Sequence, residues 1–138
     1  ELKKKGLDRA PNILLCDYIH DMPRRMAAAD IVISRAGAMT ISELASAGCA
    51  AILIPSPNVV DNHQFKNAKV LADAGAAVLL EESEIRDSGR LTDTVLRLAG
   101  DTPARKRLGQ NIREFADKDA NRLIYEEIQK LLAEKAKK

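Results

Sequence analysis

Aromatic residues and net charge are both scarce in this sequence. Aromatic side chains make up 3% of the 138 residues and tryptophan is missing, so the hydrophobic core must be built from aliphatic side chains. The net charge is only +2, and no strongly basic face with interleaved aromatic residues is evident. We therefore expect no nucleic-acid partner.

Long hydrophobic runs and cysteines are also few. No apolar run approaches the roughly 20 residues that a membrane-spanning helix needs, and the segment Glu1–Lys5 lacks the apolar core of a secretion signal. Cys16 and Cys49 both lie within apolar segments, which is typical of reduced, buried thiols in a cytosolic protein. His20 and His63 are far apart and have no companion carboxylate cluster, so we predict no metal and no other cofactor.

Several familiar catalytic motifs are missing. Neither G-x-G-x-x-G nor G-x-x-x-x-G-K-[ST] occurs, so the sequence does not support an ordinary dinucleotide dehydrogenase or a P-loop nucleotide hydrolase. No Ser-His-Asp or Cys-His arrangement can be assembled from its residues. We therefore assign no catalytic residue to the chain.

Short apolar segments alternate with amphipathic segments along the chain. The apolar segments predict buried strands at 12–16, 30–34, 50–54 and 76–80. The amphipathic segments predict helices at 23–29, 39–48, 62–75, 91–98, 103–115 and from 121 onwards, and residues 1–10 predict the end of a helix near Gly6. This alternation predicts an α/β fold, a Rossmann-like parallel sheet with helices on both faces, followed by C-terminal helices.

The segment Ser34–Glu43 forms a predicted corner between a buried strand and a helix. The N–H groups and partial positive charge of such a helix N-terminus favour a phosphate at the carboxyl edge of the sheet. Gly37 lets a ligand approach the backbone, Thr40 adds a hydroxyl, and Glu43 is placed to accept hydrogen bonds from a diol such as ribose. A turn of small residues capped by Ser or Thr fits the pattern equally, and both interpretations stay open.

Two further segments fall at the same predicted edge. Asn62, His63, Gln64 and Asn67 crowd the start of the helix that follows the third predicted strand, and carboxamides such as Gln64 suit sugar hydroxyls. A plainer interpretation makes Asn62 the helix N-cap and His63 a surface residue. The loop Tyr18–Met22 follows the first predicted strand, where a backbone N–H and C=O pair can bind the edge of a base.

Seven motifs in order resemble the MurG-type glycosyltransferases of peptidoglycan synthesis. The resemblance covers most of residues 12–85 closely and the helical remainder loosely. The motifs are Tyr18–Met22, Ala29–Ala38, Thr40–Leu44, Ile54–Pro55, Asn62–Gln64, Asn67–Ala68 and Ala74–Ala77.

The resemblance implies a function and a set of binding residues. Such enzymes are two-domain GT-B glycosyltransferases that move N-acetylglucosamine (GlcNAc) from UDP-GlcNAc to a lipid-linked muramyl-pentapeptide, with inversion and without a metal. It implies that backbone groups of Ile19 bind uracil, that Glu43 binds the ribose and that Gln64 binds GlcNAc hydroxyls. The implied diphosphate contacts are Gly37, Ala38, Met39 and Thr40, and the further implied GlcNAc contacts are His63 and Asn67.

Two positions depart from some relatives, and each changes the expected chemistry. Ala36 stands where a Ser can occur, which removes one hydroxyl contact. His63 stands where a second Gln can occur, so its sugar contact is less firmly implied than that of Gln64.

The resemblance also implies what this chain lacks. Residues 1–138 match part of a C-terminal, UDP-GlcNAc-binding domain, without its first strand and without the N-terminal domain that binds the lipid-linked acceptor and supplies the base. We expect this piece alone to be inactive and its sheet edge to be open to association. The expected location of the whole protein is cytoplasmic, peripheral on the inner face of the bacterial plasma membrane. Three alternatives remain, a related GT-B enzyme, a sugar-nucleotide epimerase and a non-catalytic UDP-sugar-binding subunit.

Overall fold

A parallel three-stranded sheet lies at the centre of the computed structural model, which describes residues 11–86, 89–116, 125–130 and 132. The strands are β1 (Ile31–Ser34), β2 (Ala50–Leu53) and β3 (Val78–Leu79), and β2 lies between the other two. Ser34 is in register with Leu53, and Leu53 with Leu79. The predicted parallel α/β architecture is therefore confirmed.

Helices precede the first strand, connect the strands and follow the last of them. They are α1 (Met22–Ala28), α2 (Ala38–Ala47), α3 (His63–Asp73), α4 (Glu82–Arg86), α5 (Arg90–Gly100) and α6 (Thr102–Ile112), with 3₁₀ turns at Val60–Asn62 and Arg113–Phe115. The short α4 was not predicted. Residues 125–130 and 132 are helical, in agreement with a C-terminal helix. The helix end predicted at 1–10 and the remainder of the C-terminal helix lie outside the described residues.

Aliphatic side chains on alternate positions of β2 form two cores, one on each face of the sheet. Ala51 and Leu53 contribute to the cluster that α1, α2 and α3 cover. Ile52, from the opposite face of β2, packs in a second cluster against α5. All four residues of β2 are buried, as expected for a central parallel strand. The helix α6 contributes to both clusters.

The predicted strand at 12–16 is wrong. Residues 12–16 form no strand, and Leu14 is 71% exposed. Strand conformation is stabilised by hydrogen bonds to a neighbour, and no described strand pairs with this segment or with the outer side of β1. An apolar sequence alone therefore did not suffice to bury it.

The same segment corrects the expectation for one of the cysteines. Cys16 is exposed, whereas Cys49, which immediately precedes β2, is buried as predicted. Burial raises the pKa of the Cys49 thiol by removing water from the thiolate, and a hydrogen bond from the backbone N–H of Cys49 offsets part of this rise.

The two cysteines are therefore expected to differ in alkylation rate. In the native protein iodoacetamide should modify Cys16 and react with Cys49 more than about tenfold more slowly, because a raised pKa lowers the thiolate fraction at any given pH below it. Mass spectrometry of the cysteine peptides over time measures both rates. Denaturant should make the rates similar, whereas equal rates in the native protein would contradict the burial of Cys49.

A glycine in the left-handed backbone conformation ends α2 at the point where α6 packs against this helix. Gly48 has φ +66° and donates its N–H to Leu44 O at 2.8 Å, so the predicted helix stop is confirmed. Arg113 Nη2 donates to Ala47 O at 3.3 Å and so satisfies a carbonyl of the last turn. Gly109 of α6 lies so close that a Cβ there would be 2.4 Å from Gly48 O.

Candidate functional site

The carboxyl ends of all three strands meet at one edge of the sheet. Because the strands are parallel, the loop from Ser34 to α2 and the loop from Leu53 to α3 both leave from this edge. Ligands of open α/β sheets bind at such an edge. The structure therefore brings the two main predicted segments, around Gly37 and around Gln64, to the same side of the molecule.

The N-terminus of α2 carries unsatisfied backbone donors at this edge. Gly37 is the N-cap and has no side chain to offer, and the first turn contains no acidic residue. The first hydrogen bond of the helix runs from Ile41 N to Gly37 O at 3.0 Å, so the N–H groups of Ala38, Met39 and Thr40 have no partner within the helix. Partial positive charge at this end is thus uncompensated by the helix itself.

The structure itself does not require a glycine at position 37. Its φ of −71° is open to any residue. A Cβ built there would meet only Thr40 Oγ1, at the ordinary contact distance of 3.9 Å. Space beside this backbone is therefore available to a ligand, and a side chain would occupy part of it.

Glu43 lies one turn into α2 and faces open hollows. It lines a hollow of about 400 Å³ together with Ile19, Tyr18 and Met22. Glu43 is exposed and makes no hydrogen bond or ion pair with another described residue. The structure thus brings Ile19 and Glu43 together, and the carboxylate is free to accept hydrogen bonds from a ligand.

The predicted sugar-binding side chains all make contacts within the chain. Gln64 Oε1 accepts from Ser56 N at 2.9 Å, and Asn67 Nδ2 donates to Ala36 O at 3.3 Å. His63 is exposed and its Nδ1 lies 2.9 Å from Val60 O. These bonds tie three side chains of α3 to the backbone of neighbouring segments at the carboxyl edge. They leave Gln64 Nε2 and His63 Nε2 without a partner among the described residues.

The candidate site consists of several hollows and not of one. Glu43 and Ile19 line one hollow, Asn67 lines another with Ala38, and Ser56, the partner of Gln64, lines a third. The structure therefore brings the predicted residues to one edge but does not enclose them in a common cavity. Their roles in binding stay predictions.

Sequence reasoning missed Arg35, which joins all three strand ends. Arg35 Nη1 donates to Ile54 O at 3.2 Å and to Pro55 O at 3.1 Å. Its Nη2 lies 3.1 Å from Glu82 Oε1, just beyond β3. A charged residue directly after a strand, in a loop otherwise made of small residues, was the available signal.

The loop before α3 contains two strained residues. Asp61 has φ +53° and Asn62 has φ +51°, a region that side-chain-bearing residues rarely adopt. Asn62 is the N-cap of α3 and His63 is exposed, as the plainer interpretation predicts, although the Asn62 side chain makes no capping hydrogen bond. Residues held in this way often lie beside ligand sites.

The described residues contain no group of three or more His, Cys, Asp or Glu side chains arranged to hold a metal ion. Within the same part of the chain, no helix has the length and hydrophobicity required to cross a bilayer.

Comparison with known proteins identifies the family. A family model described as glycosyltransferase family 28 C-terminal domain matches residues 1–132. The chain belongs to this family. The resemblance to MurG-type transferases seen in the sequence motifs is thereby confirmed.

Two relatives of this family 28 domain carry the same protein name. The chain is 40% identical to a protein of Acetivibrio thermocellus over 98% of its own length and 36% of the relative's. It is 42% identical to a protein of Bacteroides thetaiotaomicron over 88% of its length and 32% of the relative's. Both relatives are named UDP-N-acetylglucosamine–N-acetylmuramyl-(pentapeptide) pyrophosphoryl-undecaprenol N-acetylglucosamine transferase.

A solved structure supports the same fold. The crystal structure of MurG from Acinetobacter baumannii matches 86% of this chain with a TM-score of 0.74 and 34% identity, and the match covers 33% of that protein. The chain thus spans about a third of the length of the relatives it matches.

Proposed function

We propose that this chain is the donor-binding part of an inverting glycosyltransferase that moves GlcNAc from UDP-GlcNAc to a lipid-linked muramyl-pentapeptide in peptidoglycan synthesis. Membership of glycosyltransferase family 28 supports the reaction class. The observation that carries the proposal is the N-terminus of α2, with its uncapped donors and a glycine that the fold does not need. A diphosphate satisfies those donors and fills that space.

The nucleoside end of the ligand fits the hollow between Ile19 and Glu43. Backbone groups of Ile19 bind the uracil, and the free Glu43 carboxylate accepts hydrogen bonds from the ribose hydroxyls. The diphosphate contacts Gly37, Ala38, Met39 and Thr40 at the start of α2. The GlcNAc then extends toward α3, where Gln64, His63 and Asn67 lie.

The chemistry assigned to this chain is electrostatic. Negative charge grows on the UDP diphosphate as the glycosidic bond breaks, and the fixed N–H groups at the start of α2 stabilise that charge without reorganising. Inverting transfer also needs a base aligned with the acceptor hydroxyl. We assign that base, the acceptor site and the contact with the inner face of the plasma membrane to a separate N-terminal domain.

The open side of β1 has a role in the same proposal. Among the described residues, no strand covers it, and Ile33 is 46% exposed. An uncovered strand edge offers backbone groups for pairing with another segment. We propose that a further strand of the donor domain pairs here in the intact protein.

A direct assay tests the reaction. Full-length protein is incubated with radiolabelled UDP-GlcNAc and the lipid-linked muramyl-pentapeptide, and label in the lipid fraction is measured. Transfer to the lipid supports the proposal. Conversion of free UDP-GlcNAc to an epimer, or a requirement for a separately encoded partner chain, would instead support the alternatives.

A substitution at Gly37 tests the diphosphate site. Gly37→Ala should weaken UDP binding about tenfold, or about 1.4 kcal/mol, because its Cβ takes space used by the ligand. The free energy of unfolding should change by less than about 1 kcal/mol, since position 37 is unstrained and the new Cβ meets only ordinary contacts. Calorimetry with UDP and urea denaturation measure the two quantities. Unchanged affinity would contradict the proposed placement of the diphosphate.

A further inference from the structure

One peptide group connects Arg35 to Gln64. The carbonyl of Pro55 accepts from Arg35 Nη1 at 3.1 Å, and the N–H of Ser56 donates to Gln64 Oε1 at 2.9 Å. Pro55 O and Ser56 N belong to the same planar amide. A guanidinium and a carboxamide therefore lie at opposite ends of a single peptide dipole.

This arrangement determines the orientation of the Gln64 carboxamide. Ser56 N–H is a donor, so the Gln64 atom facing it must be the oxygen, and the Gln64 Nε2 donors point away from it. A positive charge on the carbonyl side polarises the peptide group and strengthens the hydrogen bond that its N–H makes. Arg35 is thus placed to favour the orientation of the Gln64 carboxamide in which Oε1 faces Ser56 N–H.

We propose that Arg35 is a positioning residue for the sugar, acting through the Pro55–Ser56 peptide group on Gln64. The inference rests on the proposed function and adds a selectivity device to it. With the relay (Arg35, the Pro55–Ser56 peptide group and Gln64) intact, Gln64 presents its N–H donors to a hydroxyl of the hexose. Without Arg35 the hydrogen bond from Ser56 N–H weakens, so the carboxamide is held less firmly and the sugar loses a fixed donor.

The surroundings of Arg35 favour this role over direct contact with phosphate. Its guanidinium donates three hydrogen bonds, to Ile54 O, Pro55 O and Glu82 Oε1, all on the side of β2 and β3. Glu82 is the more buried partner of the ion pair, 24% exposed against 50% for Arg35. Its negative charge offsets the positive charge of Arg35 that would otherwise attract a phosphate. The guanidinium is therefore committed to the backbone of Ile54 and Pro55, in the loop that hydrogen-bonds to Gln64, and to Glu82.

Two ligands separate a positioning role from a general structural one. Affinities for UDP and for UDP-GlcNAc are measured by calorimetry on the full-length protein. Arg35→Met should weaken UDP-GlcNAc binding about fivefold and change UDP binding less than about twofold. Arg35→Lys, which keeps a single donor for Pro55 O, should recover part of the loss.

A double-substitution cycle tests the route. Gln64→Glu keeps an oxygen for Ser56 N–H but loses the amide donors. Like Arg35→Met, it should weaken the binding of UDP-GlcNAc and not that of UDP. Because both substitutions remove the same sugar contact, the variant that carries Arg35→Met and Gln64→Glu should bind UDP-GlcNAc no more weakly than Gln64→Glu does. Glu82→Gln is the matched control, because it removes the ion pair and leaves the bond from Arg35 to Pro55 O in place. Its affinities for UDP and UDP-GlcNAc should differ by the same factor as in the wild-type protein.

Three results would overturn the inference. They are an equal loss of UDP and UDP-GlcNAc affinity in Arg35→Met, multiplied losses in the double variant, and a Glu82→Gln variant that behaves like Arg35→Met. Failure of the proposed function looks different, because the wild-type protein would then show no specific binding of UDP-GlcNAc at all.

Discussion

Replacing Glu43 with alanine is expected to weaken UDP binding by about 1–3 kcal/mol, the range for hydrogen bonds to a charged group. Glu43 is exposed, lies beside Ile19 in an open hollow and has no partner among the described residues. Folding should therefore be unaffected while ligand contacts are lost. Calorimetric titration of the full-length protein with UDP measures the effect.

Deoxynucleotides make this test specific to the ribose. Wild-type protein should bind UDP more tightly than its 2′,3′-dideoxy analogue, and Glu43→Ala should bind the two almost equally. Glu114, an exposed carboxylate in the 3₁₀ turn after α6, provides the matched control, and Glu114→Ala should leave both affinities unchanged. A Glu43→Ala variant with wild-type affinity for UDP would contradict the ribose role.

Replacing Gly109 with alanine is expected to destabilise the fold by about 2 kcal/mol. In an unobstructed helix this change would stabilise by up to about 1 kcal/mol. Here the new Cβ would lie 2.4 Å from Gly48 O and 3.3 Å from Gly48 C, which are backbone atoms of a tight turn. Since that backbone has no flexible end to move aside, overpacking outweighs helix propensity.

Gly100 at the end of α5 supplies the control for that substitution. A Cβ there would meet nothing within 4 Å, so Gly100→Ala should be neutral or slightly stabilising. Urea denaturation followed by circular dichroism compares the two variants. Equal stability of both would show that α6 can move away from the turn at little cost.

The central strands were predictable because their sequences carry a strong local signal. β1 and β2 are short apolar runs, and Gly48 marks the end of α2 as the sequence indicated. The segment at 12–16 carries the same signal but has no described neighbour to pair with. Apolar composition reports a tendency to be buried, whereas a strand also requires a partner.

The candidate site was predictable in its placement more than in its contacts. Residue types at the starts of α2 and α3 indicated ligand chemistry, and strand direction brings them to one edge. Nothing in the linear sequence shows that Arg35 reaches Pro55 and Glu82, which lie 20 and 47 positions away. Such long-range bonds depend on strand order, which only the folded chain provides.

The position of α6 has a consequence for how this domain comes apart. Ala104, near its start, belongs to the core on one side of the sheet, and Ile112, at its end, belongs to the core on the other. Undocking α6 therefore exposes apolar residues of both layers together. The helix thereby couples two small aliphatic cores into one cooperative unit, which holds the ligand-facing loops on a single rigid support.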